Sequence, residues 1–161
     1  MAVDMFLKIE GVKGESEDDK YKEEIDVLAW SWGASNSGSM HVGGGGGSGK
    51  VNVQDLSITK YIDKASPVLF QKICSGKHFP KAELFVRKAG DKPMEYLVIL
   101  MEEVLISSLS TGGSGGEDRL TENITLNFAK MKFAYTPQKA DGSAGAENKV
   151  GWSVRNNVIW D

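Results

Sequence analysis

The feature that most constrains the fold of this chain is an alternation of apolar and polar residues with a period of two. In the first segment four apolar residues share one face: Val3, Met5, Leu7 and Ile9. A period of two is that of a β-strand, since successive side chains of a strand point to opposite faces. Most later segments repeat the pattern, so we expect a chain built mainly of strands.

Two segments change the phase of this alternation midway. The apolar positions switch from odd to even between Val53 and Leu56, and from even to odd between Phe128 and Met131. A slip of one residue is what a β-bulge or a sharp bend produces. Long strands that bend in this way are typical of small closed barrels and of orthogonal sheet pairs.

One segment, "SPVLFQKICSGK", reads as a helix. Ser66 is a good N-cap, Pro67 suits the first helical position, and Gly76 can end the helix in a left-handed conformation. Cys74 falls on the apolar stripe, so we expect it to be buried. With about eight strands, two of them paired across "AGDKP", the prediction is an all-β fold: a two-sheet β-barrel with one short flanking helix.

Length and composition set limits on the class of protein. The chain has 161 residues, which suits a single domain over 1–161, and its net charge of −3 offers no basic surface for nucleic acid. The longest apolar run, Tyr96–Met101, is too short to cross a membrane. The N-terminal segment is not a signal peptide, and a single cysteine allows no internal disulfide. We expect synthesis in the cytoplasm and no membrane insertion.

A glycine run, "GGGGSGKV", invites a reading as a nucleotide-binding loop. Gly44, Gly49 and Lys50 match most of that pattern, but Val51 replaces the Ser or Thr that would bind magnesium. The loop should also open a helix, whereas an alternating strand pattern follows. We therefore expect no nucleotide and no other cofactor.

Two further patterns suggest catalysis or a metal. Ser114 in "GGSGG" matches the hydrolase nucleophile elbow, which needs a following helix, and here another strand pattern follows. His41 and His78 are too far apart in sequence to form a metal-ligand motif, and paired acids such as Glu102 and Glu103 more often mark a solvated surface. The sequence predicts no enzyme, no catalytic residue and no metal site.

Several longer strings carry a resemblance. They are "MAVDMFLKIEGVKGES", "EEIDVLAWSWG", "SGSMHVGGGGGSGKVNVQDLSITKYIDKASP", "STGGSGGEDRLTENITLNFAK" and "GWSVRNN". Together they resemble the haemolysin-coregulated protein (Hcp) family, the tube component of the bacterial type VI secretion system. The similarity extends over essentially the whole chain, although the ending "VIWD" (Val158 to Asp161) fits no pattern of the family.

The resemblance implies a barrel like that of phage tail tube proteins, assembled as homohexameric rings that stack into a tube. It implies a sheath, a VgrG-type spike and small effector proteins as partners, and secretion without a signal peptide. A glycine-rich loop suits contact between rings, since glycine permits close backbone approach. The stacking residues would be Gly43, Gly44, Gly45, Gly46, Gly47, Ser48, Gly49 and Lys50.

Small polar residues suit a lumen through which a passenger slides, and Ser31 and Ser114 are the candidates for effector contact. An exposed Trp160 would suit a partner surface. Two other functions stay open at this point. One is a monomeric β-sandwich that binds a ligand on an exposed aromatic platform, and the other is a hydrolase built on Ser114.

Overall fold

The computed structural model describes residues 3–37, 50–88 and 93–161. They form ten strands and one helix rather than about eight strands. In chain order the elements are β1 (Val3–Ile9), β2 (Ile25–Ser31), β3 (Ala34–Asn36), β4 (Val51–Val53), β5 (Leu56–Tyr61), α1 (Ala65–Ser75), β6 (Phe79–Lys88), β7 (Met94–Thr111), β8 (Thr121–Tyr135), β9 (Asn148–Ser153) and β10 (Val158–Ile159).

The larger sheet closes on itself. Its eight strands follow the order β10-β9-β8-β5-β2-β1-β6-β7, and β7 also pairs with β8. That extra pairing closes a barrel of 6 strands, β8-β5-β2-β1-β6-β7, to which β9 and β10 are added at β8. The predicted all-β barrel with one short helix is confirmed.

Strands β7 and β8 belong to both walls of the barrel. The first half of β8 pairs with β5, from Tyr61↔Thr121 to Leu56↔Leu126, and the second half pairs with β9, from Lys130↔Ser153 onward. This change of neighbour is the predicted phase slip of β8. The earlier slip is a break between β4 and β5 rather than a bulge. We call β7-β8-β5-β2 the upper wall and the sheet around β1, β6 and β9 the lower wall.

The core lies between the two walls and is apolar. Buried side chains come from alternate positions of each strand, as the period-two pattern predicts. Those on the upper wall are Leu56, Ile58, Ile106, Ile124 and Leu126, and those on the lower wall include Leu7, Ile9, Leu84, Ile99 and Met101. Because successive side chains of a strand point to opposite faces, the residues between these apolar positions lie on the outer face of the upper wall.

Helix α1 begins two residues earlier than predicted, at Ala65 rather than at Pro67. Ser66 is not the N-cap, because Lys64 holds that position without a side-chain bond. Asp63 instead accepts a hydrogen bond from the Ala65 amide at 3.0 Å, and the Ser66 hydroxyl donates to Glu122 at 2.5 Å. Pro67 still lies in the first turn, where its missing N–H has no intrahelical role. The predicted helix end is confirmed, with Gly76 left-handed at φ 67°.

The helix buries one stripe and exposes the other. Ala65 and Leu69 are buried, whereas Cys74 is exposed. The expectation that Cys74 is buried is therefore wrong: it lies with Phe70 on the side of α1 that faces away from the core. No helix in the described ranges is long and apolar enough to cross a membrane.

A charged cluster fastens the segment between β1 and β2 to the lower wall. The Arg87 guanidinium donates to Asp18 at 2.6 Å and to Asp4 at 3.0 Å. It also lies over the Tyr21 ring at 5.6 Å, and the Tyr21 hydroxyl donates to Glu95. Hydrogen bonding from Arg87 lowers the pKa of Asp18, and burial raises the pKa of Tyr21.

The C-terminal residues add an edge strand. Val158 pairs with Ser153 and Ile159 with Trp152, and Trp160 lies half-buried with Lys132 Nζ 4.4 Å from its ring centre. Trp160, which would suit a partner surface if it were exposed, is thus partly covered by lysine side chains of its own chain. A Cβ at Gly151 would come within 2.2 Å of the Trp160 carbonyl oxygen, so this docking requires glycine there.

Candidate functional site

The outer face of the upper wall carries small uncharged polar side chains. The strand register places Ser31 of β2 beside Ser57 of β5, then Thr125 of β8, then Ser108 of β7. A second row runs through Thr59, Asn123 and Ser110. We call this surface the polar wall; its residues are Ser31, Ser57, Thr59, Ser108, Ser110, Asn123 and Thr125.

Hydrogen bonds join the side chains of the polar wall to one another. Thr125 Oγ1 lies 2.6 Å from both Ser107 Oγ and Ser108 Oγ, since a register shift between Ile106 and Ser108 lets two consecutive serines reach it. Thr59 donates to Asn123 at 2.7 Å. Because these side chains form hydrogen bonds with side chains of the neighbouring strands, they lie along the sheet. The surface is therefore flat and rich in hydroxyl groups.

Asp55 provides a carboxylate at one end of the wall. It accepts hydrogen bonds from Ser107 Oγ at 2.6 Å and from Asn127 Nδ2 at 2.8 Å. Among the described residues it forms no ion pair. Its hydrogen-bond partners among those residues are Ser107 and Asn127, neither of which is a histidine or a lysine.

The two predicted lumen residues lie on or beside this wall. Ser31 is exposed in the first row. Ser114 is exposed in the β7–β8 connection, where it lines a hollow of about 360 Å³ with Ser110 and Asn123. The structure therefore brings Ser114 to the end of the polar wall. Residues 57, 59, 108, 110, 123 and 125 were not predicted as part of it.

A strand follows each of the two rejected glycine-rich motifs, as the sequence predicts. Strand β8 follows the "GGSGG" stretch, so no helix follows Ser114 as in a nucleophile elbow. Strand β4 follows Lys50, which is exposed, so no helix N-terminus is present there to hold a phosphate. Gly43 to Gly49 and His41 lie outside the described residues. Within the described ranges no group of three or more His, Cys, Asp or Glu could hold a metal ion.

In the part of the chain that the structure describes, the upper wall has two strand edges without a ladder partner. On β2, pairing with β1 covers only Ile25 and Asp26. On β7, pairing with β6 stops at Val104. Within the described residues, 28–31 of β2 and 105–111 of β7 therefore pair on one side only. An unpaired strand edge presents backbone N–H and C=O groups that can pair with another chain.

An apolar groove of about 820 Å³ opens beside β3. One side is the β3–β4 strand pair and the other is the β8–β9 pair. Trp32 also lines the groove and stacks on Phe133 with ring centres 5.9 Å apart. Two residues of the lining are strongly exposed, Val150 at 70% and Ile159 at 71%. A large open apolar surface of this kind is a feature of interaction sites.

Comparison with known proteins agrees with this architecture. A sequence model of the family described as "Type VI secretion system effector, Hcp" matches residues 6–135. The chain is 66% identical to the protein Hcp1 of Pseudomonas aeruginosa over 160 residues, covering 98% of this chain and 99% of that protein.

Solved structures show the same similarity. One, described as a type six secretion system protein, has a TM-score of 0.91 and 36% identity, covering 99% of this chain and 100% of its own. Hcp1 of Salmonella typhimurium has a TM-score of 0.82 and 40% identity, with the same coverage. The matched model, the identity and the shared barrel lead to one conclusion. This chain belongs to the Hcp family of the type VI secretion system.

Proposed function

We propose that six copies of this chain form a ring, that rings stack into the type VI secretion tube, and that the polar wall lines the lumen. The observation that carries the proposal is the position of the polar wall between two unpaired strand edges. The family is one of secreted tube proteins and is not known for enzymatic activity. The hexameric ring, the stacking of rings and the transport of effectors are part of our proposal and go beyond the family assignment.

The two edges are suited to each other. Neighbouring strands in the order β7-β8-β5-β2 are all antiparallel, so β7 and β2 run in opposite directions. If β2 of one copy lies beside β7 of the next, the antiparallel alternation continues without interruption. Contact between two different surfaces of identical chains is heterologous, and it closes into a ring when the rotation permits.

Closure by these edges places the polar wall of every copy on one continuous surface. We assign that surface to the bore because its small, uncharged side chains offer weak hydrogen bonds and no strong charge to trap a passenger. Ser31 and Ser114 are then effector-contact residues. We assign Gly43 to Lys50 to contacts with the next ring, and a VgrG-type spike and the sheath as further partners.

Mass in solution tests the ring. We expect light scattering on a sizing column to give six times the chain mass of 17.5 kDa. A monomer at high concentration would contradict the proposal. It would instead favour a monomeric β-sandwich module, for which the apolar groove beside β3 is the candidate ligand site.

Thiol labelling tests which wall faces the bore. In a Cys74→Ser background, Ser31→Cys would lie on the polar wall, and Lys8→Cys would lie on the exposed side of β1 in the lower wall. In the assembled ring we expect both thiols to react with a small maleimide, and only the thiol at position 8 to react readily with a bulky polymer-linked maleimide. Equal reactivity toward the bulky reagent would remove the lumen assignment.

A further inference from the structure

The barrel has two sides at which the upper wall ends, and they differ in shape. At the β2 side lies the apolar groove, bordered by β3. Strand β3 continues the run of β2, because the Gly33 carbonyl accepts a hydrogen bond from Gln54 at 2.9 Å and the β3–β4 ladder begins at once with Ala34↔Val53. The groove is therefore a continuation of the unpaired β2 edge.

At the β7 side lies helix α1. Its first turn is tied to Glu122, which pairs with Thr111 of β7, and the chain after the helix enters β6 at Phe79, opposite Val104. The helix packs against β7. It thus runs beside the part of β7 that, among the described residues, has no ladder partner on that side.

The outer face of α1 is apolar. Pro67, Phe70 and Cys74 are exposed, and their spacing of three and four residues places them on one strip of the helix. The Phe70 side chain is 53% exposed, and neighbouring Val68 is also exposed. A convex apolar strip therefore flanks one unpaired edge, and a concave apolar groove continues the other.

We propose that the groove of one copy receives the outer strip of α1 from the neighbouring copy. This inference rests on the proposed ring, in which β2 of one copy lies beside β7 of the next copy, and α1 packs against that β7. An amphipathic helix lying in an apolar groove is a common mode of protein recognition. The contact would bury Phe70 against residues such as Val150 and Ile159.

A disulfide cross-link tests the contact, because α1 already carries Cys74. Val150→Cys places a thiol in the groove lining, and Val158→Cys, at a valine that is also exposed but outside the lining, is the matched control. Under mild oxidation we expect Val150→Cys to give chains linked head to tail on a non-reducing denaturing gel. The control, and Val150→Cys combined with Cys74→Ser, should give at least tenfold less linked product.

Light scattering on the same samples separates the two proposals. If hexamers form and Val150→Cys links no better than Val158→Cys, the groove contact is wrong and the ring stands. If no oligomer forms, both proposals fail. Should a mass shift with an added peptide or small molecule appear instead, the groove takes a different occupant and our inference is overturned.

A second variant acts on the convex partner. Phe70→Asp changes a side chain on the far side of α1 from the core, so the monomer should keep its circular dichroism spectrum. We expect the concentration needed for half-assembly to rise at least tenfold. Ser75→Asp, which changes an exposed α1 residue on a different side of the helix from the strip, should leave assembly within twofold of the unmodified protein. An unchanged assembly of Phe70→Asp would contradict the contact.

Discussion

Lys60 and Glu122 form an ion pair inside the barrel, with the Lys60 ammonium 2.5 Å from a Glu122 carboxylate oxygen and both side chains almost fully buried at 0% and 1% exposure. Lys60 also donates to Asp63 at 3.0 Å and to Ser66 at 3.1 Å. The pair joins β5, β8 and the first turn of α1. It therefore fixes the helix on the end of the upper wall.

Removal of one member of this pair should destabilise the fold strongly. We expect Lys60→Met to lower the free energy of unfolding by about 3 to 5 kcal/mol, because the Glu122 charge stays buried without its partner. Urea unfolding measures the change. The double variant Lys60→Met with Glu122→Leu should lose less than the single variant. A loss below about 1 kcal/mol for Lys60→Met would mean that the pair is not buried as described.

Acid should weaken the cluster around Arg87. The folded-state pKa of Asp18 lies below its ordinary value of 3.8, so its carboxylate stabilises the fold above that value. The contribution is lost as pH falls through the folded-state pKa. We expect Asp18→Asn to lower stability at neutral pH by about 1.5 to 3 kcal/mol. It should also flatten the loss of stability as the pH falls below 3.8, because the contribution of the Asp18 carboxylate is then absent at every pH.

Asp26 supplies a control of opposite sign. Burial raises its pKa above 3.8, so its ionisation costs stability as pH rises. Asp26→Asn should make the loss of stability on acidification steeper, not flatter. Unfolding by urea at a series of pH values distinguishes the two variants. Identical slopes for Asp18→Asn and the unmodified protein would be inconsistent with the Arg87 contact.

Gly151→Ala should release the C-terminal strand. The added Cβ would lie 2.2 Å from the Trp160 carbonyl oxygen. Either β10 moves away, or the free energy of unfolding falls by about 1 to 3 kcal/mol because of the steric clash. Hydrogen exchange at the Trp160 amide, which donates to Gly151 at 3.2 Å, reports the release. Gly112→Ala, which has open space around its Cβ, should change neither quantity.

Two residues of α1 should respond differently to truncation. Leu69→Ala truncates a fully buried side chain, and we expect the free energy of unfolding to fall by about 2 to 5 kcal/mol. Cys74→Ser alters an exposed side chain and should stay within about 0.5 kcal/mol. Both are compared at a concentration at which the chain is monomeric. A large cost for Cys74→Ser would show that Cys74 packs against the core after all.

The sequence predicts those parts of the fold that depend on local pattern. The phase slip of β8 is visible because Leu126 and Phe128 turn inward on one side of the bend and Met131 on the other. The cap of α1 is predicted wrongly because the Ser66 hydroxyl is bonded to Glu122, 56 residues away in sequence. No local pattern carries that information.

The polar wall is only partly visible in sequence for the same reason. A signal does exist: the outward positions of β5 and β8 hold Ser57, Thr59, Asn123 and Thr125, whereas the first strand alternates its apolar residues with Asp4 and Lys8. Which of these side chains become neighbours depends on register between distant strands. The groove beside β3 also brings together residues more than a hundred positions apart, so it could not be predicted from a local pattern.

The sharing of β7 and β8 between the two walls has a consequence for how the subunit unfolds. A sandwich of two independent sheets can lose one sheet while the other persists, but here both sheets need the same two strands. Fraying of either wall therefore removes hydrogen bonds from the other, and partly folded forms with one intact wall are disfavoured. The chain should behave as a single cooperative unit, either folded as a whole or not folded.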